Sequence, residues 1–177
     1  MRIVQILCRL FSILLLIKGE IVHHYYWRDY MGYLPYDGVS FEGVYVAQIP
    51  GHGMLPASFY PETKEAVSEV FGKKLVSKIY IKILCDPNIE NFYWENTTTD
   101  DLSFDKSDNL VVGGIEADIP LYVGRIFHEG IWKISKVISP DSRFRGYRGW
   151  NNSTGTQHHS DNFEVLKYKR KAISPRC

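Results

Sequence analysis

One stretch, residues 121–138, constrains the fold more than any other part of the chain, because its sequence LYVGRIFHEGIWKISKVI is typical of a β-hairpin. Two runs rich in β-branched and aromatic residues flank a short polar turn that ends at Gly130. Glycine can adopt the positive φ that a tight reversal needs. Side chains alternate between the two faces of a strand, so Lys136 shares a face with Trp132 and Ile134. A lysine on such an apolar face either extends to its rim or lines a pocket.

The same order of features occurs twice along the chain. Each half has a tryptophan, a turn-rich stretch, a Tyr-Val strand, a turn with histidine and glycine, and a closing strand. Two copies of a strand-rich unit bury their faces on each other. This predicts a single all-β domain over residues 20–168 with pseudo-twofold symmetry, repeat one being 21–85 and repeat two 92–168. The matched positions are Trp27 with Trp94, residues 45–48 with 122–125, and residues 80–83 with 163–166.

Two other segments carry specific predictions. Residues 75–84 place Ile79, Ile81 and Ile83 on one face and lysines on the other, which predicts one long strand. Residues 62–72 have apolar residues at roughly helical spacing. The repeat aligns them with a loop region of the second half, so we expect a strand and a turn there rather than a helix.

The two ends of the chain differ in composition from the rest. Residues 1–19 begin with a basic residue, continue with an apolar run and end at Gly19, which is the layout of a secretory signal peptide. The alternative is a transmembrane anchor, but the run is shorter than the roughly 20 residues of a spanning helix and is interrupted by Arg9. We therefore expect a secreted, extracellular protein without a membrane span. Residues 169–177 form a basic tail that we expect to be solvated.

The charge balance argues against nucleic acid as a partner. The chain has 21 basic and 20 acidic residues, and removal of residues 1–19 takes away three basic residues and no acidic one, which leaves 18 against 20. A near-neutral chain has no overall positive field to attract phosphates. Arginines and aromatic residues do interleave between residues 143 and 150, but we interpret them as a surface loop or strand pair.

Cysteines and asparagines give two further expectations for a secreted chain. After signal cleavage Cys85 and Cys177 remain. In an oxidising compartment they suggest one disulfide that ties the tail to the middle of the chain, and two unpaired thiols are the alternative. Asn96, Asn151 and Asn152 each begin a triplet that can accept an N-linked glycan.

The second half contains a set of motifs that resembles the DM-nine repeat. They are Tyr-Val-Gly-Arg at 122–125, His-x-Gly at 128–130, Lys136, Gly-x-x-His at 155–158 and Phe-Glu-Val-Leu at 163–166. The first half matches less well, because Gln48 stands where arginine is expected and Ser58 falls at the lysine position. The resemblance implies an all-β sandwich of two intertwined repeats. It also implies a lectin-like function, since some family members, known from invertebrates, bind mannose and have roles in innate immune recognition.

The resemblance further implies a sugar site. In those lectins, sugar recognition uses an acidic residue shortly after a glycine and the lysine of Pro-Gly-Lys, which match Glu116 and Lys136. Here Ile-Ser replaces Pro-Gly, glutamate replaces the usual aspartate, and Gln157 replaces a glutamate. A carboxylate and an ammonium together can accept from and donate to sugar hydroxyls. We expect one such site, since Ser58 cannot supply the same contacts, and we expect oligomers or clustered glycans to provide avidity.

No sequence motif indicates catalysis. The chain lacks G-x-S-x-G, a Walker loop, H-E-x-x-H and C-x-x-C. His23 and His24 are adjacent, so on a strand they would point to opposite faces and could not easily share a metal ion. We therefore expect neither an enzyme nor a cofactor. Two functions remain, a secreted carbohydrate-binding protein whose partners are glycans, and a structural or protein-interaction module that keeps the fold without binding sugar.

Overall fold

The computed structural model describes residues 25–102, 109–138 and 142–169. The predicted signal peptide, Cys177 and the basic tail beyond residue 169 lie outside these residues. Within them the regular structure is strand apart from a 3₁₀ turn at Ile89–Asn91, which confirms the predicted all-β class. The described residues contain no helix that is long and apolar enough to cross a membrane. In chain order the strands are β1 (Tyr26–Asp29), β2 (Ser40–Phe41), β3 (Val44–Gly51), β4 (Gly53–Tyr60), β5 (Glu65–Val70), β6 (Lys73–Ser77), β7 (Lys82–Cys85), β8 (Phe92–Thr98), β9 (Val112–Glu116), β10 (Ile119–His128), β11 (Ile131–Ile138), β12 (Gly146–Trp150), β13 (Gln157–Ser160) and β14 (Asn162–Tyr168).

Antiparallel pairing joins these strands into one hydrogen-bonded network, and the two halves repeat the same pattern. In the first half β7 pairs with β1 and β3, and the order continues β3-β4-β5-β6. In the second half β14 pairs with β8 and β10, and the order continues β10-β11-β12-β13. Strands β2 and β9 lie beside β3 and β10 respectively. The topology is therefore that of two equivalent units related by pseudo-twofold symmetry.

The predicted match between residues 80–83 and residues 163–166, which close the two units, is wrong by one residue. Ile83 lies opposite Ala47 and Val165 lies opposite Gly124, which makes Ile83 the equivalent of Val165. The sequence match placed Ile83 one position further along β14, because it aligned the two segments on their first aromatic residues. In the first unit that residue, Tyr80, lies outside the strand and is 77% exposed.

The single strand predicted for residues 75–84 is wrong. The segment is two strands, because Tyr80 adopts a φ of +54° and the chain changes direction between β6 and β7. Ile79 is consequently 66% exposed, whereas Ile81 and Ile83 are buried. The strand and turn predicted in residues 62–72 are confirmed, since β5 covers Glu65–Val70.

The predicted hairpin is confirmed as β10 and β11. Glu129 and Gly130 form its two-residue turn, with φ of +53° and +76°. These positive values match the right-handed twist of the paired strands. Lys136 is buried on the same face as Ile134, so it lines a pocket and does not extend to the rim.

The two units share a core and contact each other through β4 and β11. One buried cluster combines Val46 of the first unit with Val123 and Ile134 of the second. Ser58 on β4 donates a hydrogen bond to the Ile134 carbonyl (3.0 Å) and accepts one from the Ile134 amide (2.6 Å). Ser58 lies opposite Val46 and Lys136 lies opposite Val123, so the two side chains occupy equivalent positions. The small serine joins the units where the second unit has its lysine.

Candidate functional site

The turn between β9 and β10 fixes the position of Glu116. The register pairs Glu116 with Ile119, and the two intervening residues, Ala117 and Asp118, have φ of +47° and +64°. Residues other than glycine carry backbone strain at such positive φ values, and the strain persists where the surrounding structure imposes this conformation. The strained turn holds the glutamate at the end of β9.

The glycines before Glu116 allow β9 to lie against the first repeat. A Cβ atom on Gly114 would lie 1.9 Å from the carbonyl oxygen of Met54 on β4. The carbonyl of Gly113 accepts a hydrogen bond from Gln48 Nε2 at 2.7 Å. The glutamine found in place of arginine thus links the two repeats. Through these contacts β9 pairs with both β4 and β10, and Glu116 lies at the junction of the repeats.

Lys136 brings together two carboxylates from different repeats. Its Nζ lies 2.5 Å from Glu116 Oε2 and 3.1 Å from Glu69 Oε2. The side chains of Lys136 and Glu69 are each 3% exposed and that of Glu116 is 12% exposed. The other oxygen of Glu69 accepts the backbone N–H of Gly72 at 2.5 Å. The structure therefore places the two predicted residues, Glu116 and Lys136, in contact. It adds Glu69, which the sequence analysis did not identify.

These three residues line a cavity of about 460 Å³, which we call the inter-repeat pocket and define by Glu69, Glu116, Lys136 and Arg148. This volume lies within the range of small-molecule sites, roughly 300–1,000 Å³. Phe71 is 65% exposed where it lines this pocket.

The wall of the inter-repeat pocket away from the lysine is polar. Burial lowers the pKa of Arg148, an effect that Glu69 opposes through its charge. With its amide oriented to satisfy its neighbours, Gln157 accepts hydrogen bonds from Arg148 at 2.9 and 3.2 Å. Phe144, which is 51% exposed, lines the pocket beside them. The pocket therefore combines acceptors, donors and exposed aromatic rings.

The predicted disulfide stays a prediction because Cys177 lies outside the described residues. Cys85 is fully buried, and its thiol contacts the carbonyl of Ile83 at 3.5 Å. Burial raises the pKa of this thiol to about 11, with a further contribution from Asp37. A disulfide would thus require the end of the chain to enter the interior.

The three predicted glycan acceptors lie in different environments. The side-chain amide of Asn151 donates to the Gln157 carbonyl at 3.4 Å, and its oxygen bonds to His128 Nε2 at 2.9 Å. Asn152 is exposed, but its oxygen accepts from Lys74 and from the Trp150 indole. Asn96 is exposed on β8, and within the described residues its side chain makes no hydrogen bond. Glycosylation stays a prediction, and of the three acceptors Asn96 alone combines exposure with a side chain that makes no hydrogen bond within the described residues.

Neither a metal centre nor a covalent centre emerges from the described part of the chain. In that part, no three side chains among the histidines, cysteines, aspartates and glutamates are arranged to hold a metal ion. The chemistry available in the inter-repeat pocket is hydrogen bonding by fixed charges.

The fold and the inter-repeat pocket define a tandem-repeat, all-β protein with a polar-walled cavity where the two repeats meet. The sequence profile of the DM9 repeat matches residues 37–144, more than half of the chain. The chain belongs to the DM9 (DM-nine) repeat family, whose domains are lectin-like and not enzymatic. The match includes Glu69, Glu116 and Lys136. No curated protein matches the chain.

Proposed function

We propose that this protein is a secreted carbohydrate-binding protein of the mannose-binding type, with the inter-repeat pocket as its sugar site. The observation that carries the proposal is the buried ammonium of Lys136 held between Glu69 and Glu116 at the wall of an open cavity. The membership of the chain in a lectin-like family supports the same function.

The groups in the pocket match the hydrogen-bonding pattern of a sugar. Adjacent pyranose hydroxyls each donate and accept, the carboxylates of Glu69 and Glu116 accept, and the Lys136 ammonium has a third N–H to donate. Each charge-assisted bond contributes roughly 1.5–3 kcal/mol. Phe71 and Phe144 offer ring faces to the apolar side of a sugar ring.

The small number of such bonds makes single-site binding weak. Once the entropy of association is subtracted, we expect a Kd of about millimolar to high micromolar. Oligomers of the protein or clustered glycans would raise the avidity. Weak sites of this kind suit the recognition of surfaces dense in mannose, which fits a role in innate immune recognition.

Secretion is the part of the proposal that rests on residues 1–19. The protein expressed in eukaryotic cells should appear in the medium with Glu20 near its new N-terminus. Recovery only inside the cell with residues 1–19 still attached would contradict it.

A second candidate function is a protein-interaction module in which the charged cluster only stabilises the fold. The burial of the Lys136 side chain favours this second function, because the ammonium is already paired with the carboxylates of Glu69 and Glu116. Oε1 of Glu116 is likewise inaccessible and, within the described residues, has no hydrogen-bond partner.

Titration with mannose and mannose-rich glycans distinguishes the two functions. If the pocket binds sugar, Glu69→Gln and Glu116→Gln should each weaken binding about tenfold or more. Glu65→Gln is the matched control, because Glu65 lies on the same strand as Glu69 and makes an exposed ion pair with Lys78 at 3.2 Å. Equal binding by all three variants would place the sugar elsewhere. If the folded wild-type protein binds no glycan on an array, the sugar-binding function is refuted and the protein-interaction module takes its place.

A further inference from the structure

A second cavity lies in repeat two, away from the inter-repeat pocket. It has a volume of about 560 Å³ and is lined by residues of β8, β10, β11, β13 and β14. Among the described residues, none lines both cavities. We call it the histidine cavity and define it by Arg125, Phe127, His128, His158 and Asn162.

One side of the histidine cavity is rigid and electrically balanced. The Arg125 guanidinium lies 4.4 Å from the ring centre of Trp94 and 4.2 Å from that of Trp132. Its Nε donates to Glu164 Oε2 at 2.6 Å, and both side chains are less than one-fifth exposed. Stacking on two rings and an ion pair fix the guanidinium in place. The charge of Arg125 is therefore already neutralised.

A pair of stacked histidines forms another wall. The rings of His128 and His158 lie 3.9 Å apart and 18° from parallel. The Nε2 of His128 is engaged by Asn151 at 2.9 Å. Within the described residues the ring nitrogens of His158 have no hydrogen-bond partner. Burial, together with the charges of His128 and Lys133, lowers the pKa of His158, so its ring is neutral at physiological pH and offers one donor and one acceptor.

The remaining surface combines an uncommitted amide with an exposed aromatic ring. The side chain of Asn162 is exposed and makes no hydrogen bond in the part of the chain that the structure describes. Phe127 is 63% exposed, and its ring meets that of Trp132 edge to face at 5.4 Å. The carboxylate of Asp101 at the edge accepts from the Thr98 hydroxyl at 2.8 Å.

We propose that the histidine cavity is a second binding site, specific for a neutral saccharide unit. Amides and a neutral imidazole pair with hydroxyls, which both donate and accept. The exposed ring of Phe127 can cover the apolar face of a sugar. An anionic ligand is disfavoured, because Arg125, the only lysine or arginine that the described residues place in the cavity wall, is already paired with Glu164. This site does not require the inter-repeat pocket to bind sugar.

Trp132 provides a selective reporter of this cavity. It lines the histidine cavity, and no tryptophan lines the inter-repeat pocket. In a heteronuclear NMR titration of ¹⁵N-labelled protein with methyl mannoside, methyl glucoside and N-acetylglucosamine, at least one sugar should shift the Trp132 indole signal saturably, with a Kd of about millimolar. Expression in bacteria keeps Asn96 free of an N-linked glycan. The backbone signal of Gly72 reports separately on the inter-repeat pocket.

Variants decide whether a shift of Trp132 reflects binding in the cavity. Phe127→Ala and His158→Ala should each weaken the sugar binding that Trp132 reports about tenfold, whereas Glu116→Gln should leave this affinity unchanged. Phe71→Ala is the matched control, since Phe71 is equally exposed but lines the other pocket. The proposal is overturned if no neutral sugar shifts Trp132, if only anionic sugars do so, or if the shift persists in both cavity variants. A shift of Gly72 alone would support the inter-repeat pocket and refute this second site.

Discussion

Replacement of Lys136 by methionine tests the central electrostatic feature of the inter-repeat pocket. Methionine retains much of the side-chain length but removes the charge that Glu69 and Glu116 share. The two carboxylate oxygens lie 3.1 and 2.5 Å from one nitrogen, so they are at most 5.6 Å apart. At an effective dielectric constant of about 20, two negative charges at this distance repel by about 3 kcal/mol.

The expected loss of stability is therefore about 3–5 kcal/mol, which is also the usual cost of removing one partner from a buried ion pair. Urea unfolding followed by tryptophan fluorescence measures it. Lys82→Met is the matched control, because Lys82 pairs with Asp29 at 2.7 Å while their side chains are 37% and 67% exposed. An exposed pair of this kind contributes about 0–1 kcal/mol.

The triple variant Lys136→Met, Glu69→Gln, Glu116→Gln separates charge repulsion from lost packing. If repulsion dominates, neutralising both carboxylates should restore at least half of the lost stability. Two results would refute the reasoning: a loss for Lys136→Met as small as that for Lys82→Met, or a triple variant no more stable than the single one.

Three further predictions concern the elements that hold the site. Gly114→Ala should destabilise the fold by about 2–4 kcal/mol, because its Cβ would collide with β4. The control Gly130→Ala, at a φ of +76° with open space around it, should cost only about 1 kcal/mol in the same urea assay. Equal losses of stability in the two variants would disprove the collision. Hydrogen bonding to Lys133 lowers the pKa of Glu129 to about 2, below its ordinary value of 4.5. The ionised Glu129 carboxylate therefore stabilises the fold at pH values above its unfolded-state pKa, and this contribution is lost as the pH falls from about 4.5 toward 2. Glu129→Gln should flatten the acid limb of a curve of stability against pH. An unchanged acid limb would contradict the lowered pKa of Glu129. Ala117→Gly should raise the unfolding free energy by up to about 1 kcal/mol, because glycine relieves the strain at a φ of +47°; a lower thermal midpoint would show that the turn is not strained.

The strand-rich class and the central hairpin could be predicted from the sequence alone. Period-two alternation and a turn that ends at Gly130 are local signals, and local signals suffice where one face of a strand is buried. The resemblance to the family paired Glu116 with Lys136 as a sugar site; the structure brings the two side chains into contact, and sugar binding by them stays a prediction. The repeated order of features in the sequence recurs in the pairing of the strands, apart from the one-residue offset at Ile83, and the residue bounds given to the two repeats stay a prediction.

The break at Tyr80 could not be read from the sequence. The isoleucines at 79, 81 and 83 alternate as in one continuous strand, but β6 pairs with β5 while β7 pairs with β1 and β3. Which neighbour a strand pairs with depends on the whole sheet and is not encoded in a window of ten residues.

The contribution of both repeats to the pocket follows from the packing of the chain and not from its local sequence. Glu69 comes from β5 of the first unit, and nothing in its local sequence distinguishes it from the half-buried Glu65 on the same strand. It meets Lys136 because Gly114 lets β9 pack on β4 and because Ser58 lets β4 and β11 contact each other. These contacts join residues far apart in the chain, so the site arises from the packing of the two repeats and not from either repeat alone.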